Sequence, residues 1–217
     1  VPVFHNNIIL KNKFSLPAAI LNIGGVSNIT VVHDTSNFFG FDTGPGNGPL
    51  DLLINNRLGL YYDKYGKLAR TGYTNKKIKE KTISLLKNSF HLKSYDRSYL
   101  DKICLTYVDS LDTKDALATL VDIITEFISL KIKHLKLKKL IISGGGRKNN
   151  FLISVLKSKL TTDVLSTENV GLDGDSLEAQ AFAYLAVRSI KGEYISFKST
   201  TGVNKNSSGG VLNYFFN

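Results

Sequence analysis

Seven consecutive residues, Phe41-Asp42-Thr43-Gly44-Pro45-Gly46-Asn47, constrain this chain more than any other stretch. They follow a short apolar run, Phe38 to Phe41, and precede a helical pattern, Pro49 to Leu58. That order puts an acid at the end of a strand, just before a loop of two glycines and a proline. Glycine allows positive φ and close approach of backbone to ligand, and proline fixes the loop's shape. Loop amides that run into a helix N-terminus make an anion site. The same string also reads as a plain Gly/Pro turn with an Asx-type bond from Asp42. Other segments have to decide between the two.

Two of them are glycine turns at strand ends. Residues Ala19 to Val32 read as strand, Gly24-Gly25 turn and strand, with Asn22, Ser27 and Asn28 placing polar groups about the turn. A simple hairpin would need no more than the glycine pair. Lys139 to Ser143 reads as a further strand, followed by Gly144-Gly145-Gly146 and a helix from Asn150 to Leu160. Strand, glycines and helix start form the layout of a nucleotide-binding turn. The Gly-Lys-Ser/Thr of a P-loop is absent, and so is the glycine spacing of the dinucleotide fingerprint.

The remaining segments frame these motifs. Val1 to Leu16 allows a short helix ended near Pro17. A helix from Leu50 to Leu58 is closed by Gly59, and Asp63 to Gly72 is a polar, turn-rich linker. Asn75 caps a Lys-rich helix to about Ser89, and His91 to Arg97 reads as a loop. Apolar residues from Ala116 to Leu130 recur at helical spacing and predict an amphipathic core helix from Asp112 or Thr113 to about Leu135. Val164 to Ser166 gives a short strand. Asp173 to Glu178 opens an alanine-rich helix to about Ile190, capped by Asp175 or Ser176. Glu178 in its first turn is either a capping acid or a ligand contact. The tail has strand character at Glu193 to Phe197 and a loose stretch at Ser207 to Gly210. Strands alternating with helices predict an α/β fold with a mixed sheet flanked by helices.

Composition narrows the function classes. The 217 residues suffice for a buried core, and 42% hydrophobic with 21% charged residues fits a soluble globular chain. No apolar run approaches the roughly 20 residues that span a bilayer, and Val1 opens no export signal. The single Cys104 excludes an internal disulfide and fits a reducing, cytoplasmic compartment. The net charge of +10 comes from 23 Lys and 5 Arg that are scattered, without an Arg-rich helix or a stacking motif. A solvated lysine surface explains it, and a basic nucleic-acid-binding domain ranks well behind. The chain neither begins with nor contains methionine, and a fragment or a processed product is expected.

Taken together, the motifs resemble the bacterial anhydro-N-acetylmuramic acid kinases. The matching strings are Asn22 to Asn28, Phe41 to Asn47, Asp63…Gly66…Ala69…Gly72, Gly144-Gly145-Gly146…Asn149 and Glu178-Ala179-Gln180-Ala181-Phe182-Ala183. They span nearly the whole chain in one order. The resemblance implies the C-terminal part of a two-lobed, actin-like sugar kinase fold, mainly the ATP-binding lobe. Residues from about 175 to 217 would pack back towards an N-terminal lobe. That lobe's Ser-Gly-Thr-Ser phosphate loop has no counterpart here. Of the family's Pro-Lys-Ser-Thr-Gly-Arg-Glu loop, His91 to Arg97 keeps only part.

The family opens the 1,6-anhydro ring with water and transfers the γ-phosphate of ATP to the released oxygen. By resemblance, Asp42 is the base that activates the water. Glu178, Arg97 and Asn47 contact the sugar. Asn22, Gly24, Gly25 and Asn28 lie along the phosphates, and Gly144, Gly145, Gly146 and Asn149 lie near the adenosine. ATP and Mg²⁺ are the implied cofactors, and a second copy or a separate N-terminal polypeptide is the implied partner. Two alternatives stand beside this expectation. One is another sugar kinase of the superfamily, against which the Asp42 loop argues. The other is a non-catalytic remnant that binds nucleotide or a partner and needs the missing segment for activity.

Overall fold

The computed structural model describes residues 1–213. Its centre is a five-stranded sheet in the order β3-β2-β1-β4-β5. Strands β1 (Ala18–Ile23), β2 (Val26–Val32) and β3 (Phe38–Pro45) form an antiparallel meander. Strand β4 (Lys139–Ser143) then joins β1 in parallel, and β5 (Asp163–Ser166) joins β4 in parallel. The Gly24-Gly25 hairpin and the β4 strand expected from β-branched runs are both present.

Alternation of side chains across the pleat divides the sheet into two faces. Ala19, Leu21, Ile23, Ile29, Val31, Leu140 and Ile142 point to one face and enter the larger apolar cluster. That face is sealed by α2 (Gly48–Leu58), α3 (Lys76–Lys87), α4 (Arg97–Leu105), α5 (Thr113–Ile132) and α6 (Asn150–Lys159). Helix α5 is the spine of the cluster, and Asp112 caps it by accepting from the Lys114 and Asp115 amides. Asn75 caps α3 by accepting from Ile78 N at 3.1 Å, as its position predicts.

The opposite face is covered more thinly. Ala18, Ile20, Val32 and Ile141 pack there under Phe4, Ile8 and Ile9 of α1 (Pro2–Lys11) and under Leu177 and Ala181 of α7 (Leu177–Ile190). A short helix, α8 (Lys198–Thr201), follows, with Phe197 set edge-on to Phe38 of β3. No helix of the described residues is long and apolar enough to cross a membrane.

Four expectations are corrected in whole or in part. Strand β3 does not stop at Phe41: Gly44 and Pro45 pair with Ser27 and Val26, so Asp42 lies within the strand. The loop from His91 ends at Asp96, which caps α4 by accepting from Tyr99 N. Ser176 takes the N-cap position of α7, as one of the two expected residues, but makes no side-chain cap bond, and Asp175 is bound by Arg147 and Lys148 instead. The tail from Glu193 to Phe197 is reduced to one bridge, Ser196 to Ser207.

Candidate active site

Four strands each deliver one polar side chain to a single row. Asp42 of β3 is registered with Asn28 of β2, Asn28 with Asn22 of β1, and Asn22 with Ser143 of β4. One rung further from the turns, Gly40, Thr30, Ile20 and Ile141 form the next row on the same face. Ile20 and Ile141 there are already core residues. The polar row therefore starts where the cover from α1 and α7 stops. It lies at the carboxyl ends of the parallel pair β1 and β4, the usual ligand edge of an open α/β sheet.

The row lines a cleft of about 840 Å³. Its walls are the start of α1, Lys93 and Ser94, the Gly144-Gly145 turn, Gly174 and Asp175, and Leu177 and Glu178 of α7. Asn22, Asn28, Asp42, Gly144, Gly145 and Glu178 are thus brought together as the sequence motifs suggest. His5 lies beside them, 3% exposed, with Nδ1 3.0 Å from Thr30 Oγ1. Burial and the nearby chain terminus bring its imidazole down to about 3, so it is neutral at pH 7.

Asp42 is held on both sides of its Cα. Its amide donates to Lys93 O at 2.8 Å, and its Oδ2 accepts from Tyr95 N at 2.9 Å. The segment from Lys93 to Tyr95 therefore runs along β3, the edge strand, and clasps the acid. Just beyond Asp42 the ladder with β2 is irregular: Asn28 pairs with Asp42 and Ser27 with Gly44, leaving Thr43 as the extra residue of a bulge. Thr43 Oγ1 donates to Ser27 Oγ at 2.8 Å, and Ser27 Oγ lies 3.0 Å from Gly44 O and 3.1 Å from Pro45 O. Both hydroxyls are buried, so the bulge is tied internally.

The loop after the bulge is locked to the β1–β2 turn. Asn47 N donates to Gly24 O, and Gly46 N and Gly48 N donate to Gly25 O. Asn47 Nδ2 donates to Ile23 O at 3.2 Å. Any side chain at Gly46 would run into the Gly24 carbonyl, so the two backbones approach this closely only with glycine there.

Gly24, Gly25, Asn47, Gly146, Asn149 and Arg97 do not line the cleft. The first three form the junction just described. Gly146 packs on Ile23, and Asn149 Oδ1 caps α6 by accepting from Leu152 N at 3.0 Å. Arg97 lies over Gly25 and pairs with Asp101, Nε to Oδ2 3.3 Å.

Sequence reasoning missed three contributors. Ser143 completes the row, and its place directly before Gly144 was the available signal. Tyr95 supplies the amide that holds Asp42. Arg147 has a side chain only 4% exposed, with Nε 2.7 Å from Glu168 Oε1, Nη2 2.7 Å from Asp175 Oδ1 and Nη1 3.0 Å from Gly144 O. It thereby fastens the Gly144 turn to the loop that leads into Glu178. Burial alone would raise the Glu168 carboxyl, but the Arg147 bond outweighs it and brings the group to about 2. Bonds from Arg147 and Lys148 bring Asp175 to about 2 as well.

The family model for anhydro-N-acetylmuramic acid kinase matches residues 1–215. The chain belongs to that family. Among curated relatives bearing the name anhydro-N-acetylmuramic acid kinase, the protein of Pelagibacter ubique is 40% identical over 97% of this chain and 59% of its own length. That of Roseobacter denitrificans is 38% identical over 98% of this chain and 59% of its own length. That of Caulobacter vibrioides is 38% identical over 97% and 57%. The chain thus spans somewhat under three fifths of the anhydro-N-acetylmuramic acid kinases it matches. Among solved structures, component A of the (R)-2-hydroxyglutaryl-CoA dehydratase of Acidaminococcus fermentans superposes with a TM-score of 0.51 at 13% identity. The match covers 84% of this chain and 69% of that one. It supports the actin-like fold class expected of an anhydro-N-acetylmuramic acid kinase.

Proposed function

We propose that this chain carries the base and part of the nucleotide site of a kinase that converts 1,6-anhydro-N-acetylmuramic acid to N-acetylmuramic acid 6-phosphate, in cytoplasmic cell-wall recycling. The observation that carries the reading is the row Asp42-Asn28-Asn22-Ser143 at the floor of the cleft. Family membership supplies the substrate class.

In this reading Asp42 accepts a proton from water as the water oxygen bonds to the anomeric carbon. The bond from that carbon to O6 breaks, and O6 takes the phosphoryl group. The Tyr95 amide bonds Oδ2 and fixes the carboxylate's direction, and the carboxylate keeps lone pairs to take the proton. Glu178, opposite on α7, orients the sugar hydroxyls. The donors along the cleft suit a polyphosphate, namely the backbone of Gly144 and Gly145 with Lys93 and Lys148. ATP would supply the γ-phosphoryl group, and Mg²⁺ bound to its phosphates would neutralise their charge. Gly24 and Gly25 shape the phosphate side indirectly, by fixing the Asp42 loop. Asn149 supports the adenosine side by capping α6. Arg97 and Asn47 act on the sugar side indirectly, through the loop that follows Asp42 and the Gly24-Gly25 turn.

A second reading has its own support in the coverage of the relatives. Here residues 1–217 are mainly the ATP-binding lobe, and the part from about 175 onward faces a further lobe that catalysis requires. Phe182 and Ile190 on the outer side of α7, 61% and 69% exposed, favour such a neighbour. Residues 214–217 lie outside the described residues.

The test is ADP release and sugar phosphate formation by this chain and its Asp42→Asn form, run in ¹⁸O-water. Turnover with label at the anomeric position, reduced roughly 10²–10⁴-fold by the substitution, is expected for a general base. Full activity in Asp42→Asn would remove the base assignment, and product without label would remove hydrolytic opening. Turnover only after a longer polypeptide is supplied would favour the second reading.

A further inference from the structure

Lys131 is a charged residue in an apolar place. It lies in the last turn of α5 and is 5% exposed. Its Nζ sits 4.7 Å from the centre of the Phe90 ring, 5.2 Å from Tyr95 and 5.9 Å from Phe41. The ammonium donates to two backbone carbonyls, Phe90 O at 2.5 Å and Leu92 O at 3.1 Å. Burial lowers its pKa, and the Asp42 carboxylate opposes that shift. Packing alone would be served better by an apolar side chain of similar length, which carries no desolvation cost.

What the ammonium holds is informative. Phe90 and Leu92 belong to the segment that continues into Lys93 and Tyr95, the two residues whose backbones bond Asp42. The other end of the segment is tied by Tyr95 Oη, which donates to Ser89 O at 2.9 Å. A rigid core helix is thereby connected, through one buried cation and one short segment, to the acid in the cleft.

We infer that Lys131 is a positioning residue for Asp42. Its ammonium clamps the 90–95 segment against edge strand β3, and the Tyr95 amide then fixes the carboxylate's direction. This rests on the reading of Asp42 as the base, and the experiment separates the two.

Amide hydrogen exchange, which needs no substrate, is measured for the parent chain, Lys131→Met and Lys131→Arg, together with kcat and KM. In Lys131→Met the Asp42 and Tyr95 amides should exchange at least tenfold faster, while the central-strand amides of Ile20 and Leu21 stay within twofold. Turnover should fall 10- to 100-fold with KM for ATP within threefold, because the loss is one of geometry at the base. Lys131→Arg, which keeps charge and donors, should restore both readouts to within about threefold of the parent. Unchanged exchange at Asp42 and Tyr95 in Lys131→Met overturns the inference, as does faster exchange with undiminished kcat. Should Lys131→Met fail to fold, Lys131→Gln carries the same measurements. An Asp42→Asn form as active as the parent would sink the base assignment, while the exchange data would still decide whether Lys131 holds that carboxylate.

Discussion

The two faces of the sheet use the same strands for opposite ends. On β1, Leu21 and Ile23 enter the cluster around α5, while Asn22 between them faces the cleft. Five helices seal the first face along its whole length. The second is covered more thinly, by α1 and α7 with α8 against β3, and the cover from α1 and α7 stops one row short of the turns. A fully buried Leu or Ile contributes about 1.5–3 kcal/mol to folding, whereas the uncovered polar row contributes little. In the proposed reading, stability and chemistry are therefore assigned to different sides of a structure one residue thick.

That separation can be broken by experiment. The largest effect expected is from Phe127→Ala. Phe127 is fully buried beneath Gly44 and edge-on to the Phe90 and Tyr95 rings. Urea unfolding should show a loss of about 3–5 kcal/mol. Asp42→Asn, across the sheet, should leave the midpoint nearly unmoved; a comparable loss there would mean the faces are coupled.

Arg147→Met should cost less, about 1–3 kcal/mol, because its carboxylate partners are half exposed. This substitution also carries a pH signature. Glu168 and Asp175, both held near 2, contribute stability that is present above the ordinary carboxyl range and lost as pH falls through about 2. Acid titration of the melting temperature should show that loss in the parent and a smaller one in Arg147→Met, where Lys148 still holds Asp175.

The smallest effect lies in the first turn of α2, outside the cleft. Burial raises the Asp51 carboxyl to about 6, with Arg97 opposing the shift and Asp101 adding to it. The folded state then binds this proton more tightly than the unfolded chain. Its contribution is full below the ordinary carboxyl range and disappears as pH rises through about 6. Melts from pH 4 to 7 should show a shallow decline that Asp51→Asn flattens.

Legibility followed the range of the interactions. The Gly24-Gly25 hairpin, the Asn75 cap and the long α5 helix are local patterns, and each was readable from a short window. Strand β3 was cut short because Gly44 and Pro45 carry turn chemistry, which pairing with Ser27 and Val26 overrides. Helix α4 was missed because it is only nine residues long, although Asp96 offered a capping signal. In the cleft, Asn22, Asn28, Asp42, Gly144, Gly145 and Glu178 could be named because each sits in a motif. Lys131 and Arg147 could not, since Phe90 and Leu92 for the first and Glu168 and Asp175 for the second lie 21 to 41 residues away. One clue existed for Lys131: it follows Phe127 by four residues and so falls on the apolar stripe of α5.

Thr43 has a consequence for how this segment can vary. Before it, Phe38, Gly40 and Asp42 share the cleft face; after it, Gly44, at φ 115°, is turned to Phe127 on the other side. The bulge acts as a phase shift, so the strand and its outgoing loop are read in different frames. Removing one residue here would not merely shorten the loop. It would transpose the two sides, presenting either the acid to the core or the glycine to the cleft. The length of this segment is thus fixed to the residue.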